Sequence, residues 1–295
     1  MSTMQIERIG TIRCTVGEGP IWDHATQALY FVDLVERKLW RYQSEDEAVM
    51  HWEVPSMIGS FALRRAGNAI VALQDGIHAL DLTTGLTSFL CDPQHGDVET
   101  QLNDGKVDPR GRFLVGSQPR SIQDTRPLGR LYKIETDLQS SLLDRNFVIT
   151  NGPCWNPAGD TFYFSDSTRK VIYAYDYCLR TGEVSCKRIF AKTDGFPGIP
   201  DGATVDILGR VWVAMCGAGK IVCFSPSGEV ERTVDVPTPF VSSVAFGGPQ
   251  LDQLYFTSIN GSAIGLGVPA DEISGCTFRI PDIGAEGLPE PRFDG

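Results

Sequence analysis

Residues 103–115 read Asn103-Asp-Gly-Lys-Val-Asp-Pro-Arg-Gly-Arg-Phe-Leu-Val115: a polar lead residue, a short run, a turn, and a strand-like run. The same layout returns as Asn151-Gly-Pro-Cys-Trp-Asn-Pro-Ala-Gly-Asp-Thr-Phe-Tyr-Phe164 and as Asp201-Gly-Ala-Thr-Val-Asp-Ile-Leu-Gly-Arg-Val-Trp-Val213. Five places after each lead residue stands Asp or Asn (Asp108, Asn156, Asp206), and eight places after it stands Gly (Gly111, Gly159, Gly209). A tight hairpin turn needs a side chain that caps the backbone and a glycine that tolerates positive φ, and these offsets supply both.

Weaker copies extend the series to either side. Glu18 leads into Ala28–Val32, Ser60 into Ala69–Leu73, and Ser243 into Gln253–Thr257. The lead positions 18, 60, 103, 151, 201 and 243 are 42, 43, 48, 50 and 42 residues apart. Most units add a further run, such as Gly76–Leu80, Gly129–Ile134, Val171–Asp176 and Lys220–Phe224. The runs are short, rich in Val, Ile, Phe and Tyr, and bounded by Gly, Pro, Asn and Asp, which is the pattern of strands. No segment sustains a 3.6-residue apolar period, so helices should be few. Six such units predict an all-β, six-bladed β-propeller of four-stranded antiparallel blades, one domain over residues 1–295. A β-solenoid usually has a shorter repeat, and an irregular barrel would not explain the turn spacing. Ile6–Cys14 and Gly275–Ile280 are expected to share the closing blade.

The 295 residues carry 26 basic and 37 acidic side chains, a net charge of −11. That sign repels phosphate backbones and anionic lipid, which argues against nucleic acid or a membrane surface as partner. No apolar stretch approaches the roughly 20 residues that cross a bilayer, and Met1–Ile12 lacks the apolar core of a signal peptide. The eight cysteines form no Cys-x-x-Cys pair, and several lie in apolar runs. They are expected to be reduced structural thiols of a cytoplasmic protein, monomeric or weakly self-associating.

In a propeller, equivalent positions of successive blades lie on one ring around the axis. The ring here is Glu18, Ser60, Asn103, Asn151, Asp201 and Ser243, all polar and none basic. Taken singly, each suits a turn or strand start. Taken together, two carboxylates and two carboxamides converge, and two acids brought close without a cation repel until one is protonated. Hard oxygen donors of this kind suit one divalent cation, Ca²⁺, Mg²⁺, Mn²⁺, Fe²⁺ or Zn²⁺. The adjoining Gly17, Gly19, Gly105, Gly152 and Gly202 are expected to let backbone approach a ligand.

Gly17-Glu-Gly-Pro-Ile-Trp22, Leu102-Asn-Asp-Gly-Lys-Val-Asp-Pro109, Ile149-Thr-Asn-Gly-Pro153, Ile199-Pro-Asp-Gly202 and Phe246-Gly-Gly-Pro249 resemble, in order, the signatures of the senescence marker protein/gluconolactonase/regucalcin family. The resemblance implies a propeller with one catalytic divalent cation that hydrolyses sugar-acid lactones in carbohydrate metabolism. It places Glu18, Asn151 and Asp201 on the metal ligands and Asn103 on a residue touching metal site and substrate. Two departures put the sugar in question. Gln101 stands where mammalian members have Arg, and the loop Gln118–Leu128, whose only acid is Asp124, lacks their substrate-contacting Glu. Gln101 is therefore a candidate substrate contact, while Arg120 and Arg126 of that loop are expected to be solvated charges.

For lactone opening, Asp201 is the expected base toward water, with Asn103 orienting hydroxyls and sharing oxyanion charge through its N–H. There is no Gly-x-Ser-x-Gly elbow. The histidines 24, 51, 78 and 95 lack metal-site spacing and are expected at turns or the surface, and Cys154 is expected in the core. Two alternatives stay open: a non-catalytic calcium-binding propeller that presents its top face to a partner, and an aryl-ester or phosphotriester hydrolase. The latter should line its mouth with aromatics, and Ile58, Phe196 and Phe240 are the candidates to reach it.

Overall fold

The computed structural model describes residues 4–295. After β1 (Glu7–Arg13), the first blade comprises β2 (Gly17–Asp23), β3 (Ala28–Asp33), β4 (Lys38–Gln43) and β5 (Val49–Glu53). The second holds β6 (Ile58–Leu63), β7 (Ala69–Leu73), β8 (Gly76–Leu80) and β9 (Thr87–Cys91). The third holds β10 (Thr100–Val107), β11 (Phe113–Pro119), β12 (Gly129–Ile134) and β13 (Ser140–Phe147). The fourth holds β14 (Thr150–Trp155), β15 (Thr161–Asp166), β16 (Val171–Cys178) and β17 (Glu183–Lys192). The fifth holds β18 (Ile199–Val205), β19 (Val211–Cys216), β20 (Lys220–Phe224) and β21 (Val230–Asp235). The sixth combines β22 (Val241–Gly247), β23 (Gln253–Ser258) and β24 (Cys276–Ile280) with β1 as its outer strand. The fold is thus a six-bladed propeller of four-stranded antiparallel blades, with no helix among the described residues.

Closure follows the expected route. β1 pairs antiparallel with β24, Glu7 opposite Arg279 and Arg8 opposite Phe278. Backbone hydrogen bonds between the two ends of the chain therefore complete the ring.

Burial falls from the axis outward. β6, β14 and β22 are buried at every position, whereas β5, β17 and β21 are largely exposed and β9 has no buried residue. Inner strands have a neighbouring blade on each face, so Ala69–Leu73 is apolar throughout instead of alternating. Between blades one and two pack Tyr30, Val32, Phe61 and Val71, and between blades five and six Trp212, Val244 and Phe256. Each such side chain contributes roughly 1.5–3 kcal/mol by leaving water.

The repeated turns form as read. Asp108 accepts from the Arg110 and Arg112 amides, Asn156 from those of Asp160 and Thr161, and Asp206 from those of Leu208 and Arg210, all at 2.8–3.0 Å. The glycines of these turns have φ of +84°, +71° and +78°. Beyond β24 the chain crosses beneath this turn end of the molecule. Gly287 bridges to Asp206 and Phe293 to Arg64, while the Asp294 amide donates to Gly111 O at 3.0 Å. Phe293 is fully buried, so the tail is a packed floor.

Candidate metal and substrate site

All six lead residues sit at one structural feature. In each inner strand the register with its neighbour shifts where the lead residue stands: Glu18/Ile21, Ile58/Ser60, Leu102/Gly105, Asn151/Cys154, Pro200/Ala203 and Val241/Ser243. Such bulges leave residues out of the ladder and re-aim their side chains. The repeat therefore encodes a ring of bulges as well as a ring of residue types.

The side chains interlock across blades. Asn103 Nδ2 donates to Thr150 O and to Asn151 Oδ1, both at 2.8 Å, and Asn151 Nδ2 donates to Ser167 Oγ at 3.0 Å. A backbone carbonyl can only accept, so the Asn103 amide is held in one orientation. Both its N–H groups are committed, which corrects the expectation that they meet an oxyanion. Asn103 has Oδ1 left to offer, an acceptor for a substrate hydroxyl. Asn151 Oδ1 keeps a lone pair beyond the one Asn103 uses.

Glu18 and Asp201 are buried carboxyls, and each is pushed well above its ordinary value. For Glu18 the causes are burial, then the charges of Asp201 and Asp104. For Asp201 they are burial, then Asp104, partly offset by hydrogen bonds from the Cys216 thiol and the Gly202 amide. Neither feels a basic side chain. Two crowded acids and a carboxamide oxygen make a donor set that a divalent cation fits, because its charge removes the repulsion and every atom is a hard oxygen.

Asp104 was missed by the sequence reasoning. Strand alternation sends residue 104 to the face opposite Asn103, yet the bulge between Leu102 and Gly105 turns Asp104 inward as well. Its Oδ2 accepts from the Gly152 amide at 2.8 Å, and burial raises its pKa despite that bond and nearby Lys106. Ser60, Asp104, Lys106, Ala203 and Ser243 line one small cavity of the channel. Lys106 reaches down to Glu290 of the tail, 3.0 Å away. Cys216 was also unassigned, and burial followed by the charges of Asp201 and Glu18 holds its thiol well above the ordinary value.

Other expectations meet the structure less evenly. Gln101 lies two residues from Asn103 at the mouth end of β10, bonded to Gln74 rather than to the ring. Arg126 is exposed and paired with Asp124 and Glu99, whereas Arg120 is exposed with no acidic partner among the described ion pairs, its Nε donating to Thr100 O. Ile58 is fully buried in the core between blades one and two instead of at the mouth. His78 is also buried, beside Asp75, whereas His24, His51 and His95 are exposed. All eight cysteines are free, and burial raises the Cys154 thiol to about 12. Gly17, Gly105, Gly152 and Gly202 pack closely against neighbouring strands, whereas Gly19 faces open space. A Cβ on Gly152 would come 2.8 Å from Asp201 O, and one on Gly202 would overlap Ser243.

Comparison with known proteins bears on the family and the fold. Residues 16–260 match the model of the SMP-30/Gluconolactonase/LRE-like region. The chain belongs to that family. Among relatives of SMP-30/gluconolactonase type, regucalcin of Gallus gallus is 30% identical, with 100% of each chain covered. Pentonolactonase XacC of Haloferax volcanii is 33% identical, with 99% of each chain covered. The 6-deoxy-6-sulfogluconolactonase of Pseudomonas putida is also 33% identical, covering 97% of this chain and 99% of its own. The solved structure of a luciferin-regenerating enzyme superposes with a TM-score of 0.93 at 29% identity, covering 99% of this chain and 100% of that one.

Proposed function

We propose that this family member opens a sugar-acid lactone to the free acid, with one divalent cation held by Glu18, Asn151 and Asp201. The observation that carries the reading is the pair of buried acids, Glu18 and Asp201, crowded together with no basic partner at the bulge ring. Full-length relatives named as a pentonolactonase and a sulfogluconolactonase support the sugar-lactone class.

A bound divalent cation supplies Lewis acidity to the ester carbonyl. The protein's own residues do the rest. Asp201 accepts the proton of the attacking water, its carboxylate being ionised once the cation offsets burial and the charge of Asp104. Water oxygen adds to the carbonyl carbon, the ring C–O bond breaks, and the alkoxide leaving group takes back a proton to become the hydroxyl of the open acid. Asn103, fixed by Thr150 and Asn151, presents Oδ1 to a sugar hydroxyl and so orients the ring.

The test is a panel of pentono-, hexono- and modified-sugar lactones, read by proton release with added Ca²⁺, Mg²⁺, Mn²⁺ or Zn²⁺. Opening faster than spontaneous hydrolysis, lost on chelation, supports the reading. If none is opened with any metal, the non-catalytic calcium-binding reading replaces it.

A further inference from the structure

We propose that a cleft between blades two and three binds a small organic phosphate through Arg130, Arg145 and Tyr132. The cleft has a volume of about 350 Å³, within the range of small-molecule sites. Gln94 and His95 line it from the connection between β9 and β10, and Arg130, Tyr132, Leu142 and Arg145 line it from β12 and β13. Among the described residues no acidic side chain lines it, nor does any of the six lead residues of the ring. Its existence does not depend on the lactonase reading.

Arg130 and Arg145 are direct cross-strand partners. Residues paired in this way project from one face of the sheet with Cβ atoms roughly 5 Å apart, and like charges so placed repel. Two bulges in β13 set the arrangement, one on either side of the pair, and they bring Arg145 and Leu142 opposite Arg130 and Tyr132. Arg130 Nη1 donates to Asp97 Oδ2 at 3.0 Å and to Tyr132 Oη at 3.3 Å, which leaves Nε and Nη2 uncommitted. Arg145 is exposed. Its backbone amide donates to Asp144 Oδ1 at 2.8 Å, but its guanidinium meets no acceptor among the described residues. Asp97 therefore offsets one arginine, and the other is an unpaired cation. Tyr132 is buried, and burial is the main cause that raises its pKa, so the hydroxyl keeps its proton. Having accepted from Arg130, that hydroxyl still has the proton to donate.

Two guanidinium groups with free edges suit an oxyanion, because each can give two parallel N–H bonds to phosphate oxygens. A phosphate monoester carries close to two negative charges at pH 7 and relieves the arginine repulsion more fully than a carboxylate does. At this volume the cleft has room for more than the phosphate group, and Leu142 offers apolar surface to the remainder. The chain's net charge of −11 disfavours a long polyanion, which leaves a small ester as the occupant. A sulfate ester has the same shape with one charge fewer, so the two can be told apart by affinity.

The experiment is calorimetric titration of chelated protein at low ionic strength with glucose 6-phosphate, glucose 6-sulfate and glucose. Wild type should bind one glucose 6-phosphate per chain, the sulfate more weakly, and glucose not at all. Arg145→Ala removes an exposed side chain and should weaken phosphate binding at least about tenfold, the worth of one charge-assisted hydrogen bond. Arg145→Glu should abolish it and yet raise the Tm of the ligand-free protein, because a repelling cross-strand pair becomes an attracting one. Those opposite changes in binding and stability are what a phosphate clamp requires. No binding of glucose 6-phosphate by wild type overturns the proposal. Affinity within twofold of wild type in both variants, or glucose bound as tightly as its phosphate, overturns it as well.

Discussion

Lys106 Nζ and Glu290 Oε1 are 3.0 Å apart across 184 residues of sequence, joining an inner strand to the C-terminal tail. Both side chains are nearly buried, and Lys106 also donates to Ala203 O at 3.3 Å. Burial opposes the ammonium charge, but Glu290 and other nearby groups outweigh it and hold the Lys106 pKa above its ordinary value. The tail therefore matches the one lysine lining the channel cavity and leaves Glu18 and Asp201 without a basic partner. Removing one member strands the other, at a cost of about 3–5 kcal/mol. Glu290→Gln should lose about that much in urea unfolding, and Lys106→Met with Glu290→Leu should recover most of it. A loss under about 1 kcal/mol for Glu290→Gln would show that the pair is not sealed from water.

Asp201→Asn separates chemistry from folding. Asn keeps the shape but cannot take a proton, so kcat should fall at least about 100-fold. Cation affinity should also fall, because one of two acidic donors becomes neutral. The fold should survive, since the change relieves the repulsion with Glu18 and Asp104. Circular dichroism, calorimetric titration with Ca²⁺ or Zn²⁺, and lactone turnover read the three effects separately. Turnover within tenfold of wild type would remove Asp201 from the role of base.

The sequence made the ring legible because turn chemistry is local: the offsets to Asp108 and Gly111 repeat wherever a hairpin must close. The lead residues were legible for the same reason, at fixed distance from each turn. Asp104 was not, since strand alternation assigns it to the wrong face and only the bulge brings it in. Glu290 was hidden by distance along the chain. Asn103 was read from its strand alone, and which end of its amide is free depends on Thr150 O and Asn151 in the next blade. Gln74 carries no motif at all, and its contact with Gln101 exists only once blades two and three stand side by side.

Gly202→Ala tests how tightly blades five and six meet at the ring. An added Cβ would overlap the Ser243 side chain and backbone, and Gly202 adjoins Asp201. Overpacking of this kind costs typically 1–3 kcal/mol. The expected result is a lower Tm together with weakened cation binding, because the inner strand must shift to make room. Gly19→Ala is the control for space: its Cβ would meet nothing within 4 Å, although its φ of +53° adds backbone strain. Equal loss of cation binding in both variants would argue that ring packing is not what positions Asp201.

The last prediction concerns pH. Glu18 and Asp201 have pKa values raised in the folded, cation-free protein, whereas in the unfolded chain they ionise near pH 4. Above pH 4 the folded state then holds protons that the unfolded state has released. Stability from these groups is therefore full below the unfolded pKa and falls as pH rises through the folded values. Asp23, Asp97 and Asp271 have lowered values and act in the opposite direction, but below the ordinary carboxyl range, so the two windows separate. Chelated protein should lose Tm steadily from pH 5 to pH 8, and Asp201→Asn should flatten that decline. A saturating divalent cation takes the place of the protons, so its gain in Tm should be small at pH 5 and larger at pH 8. Thermal melts at four pH values, with and without cation, give the whole pattern. A chelated protein whose Tm is level or rising from pH 5 to pH 8, and unchanged by Asp201→Asn, would mean that the two acids do not share one crowded site.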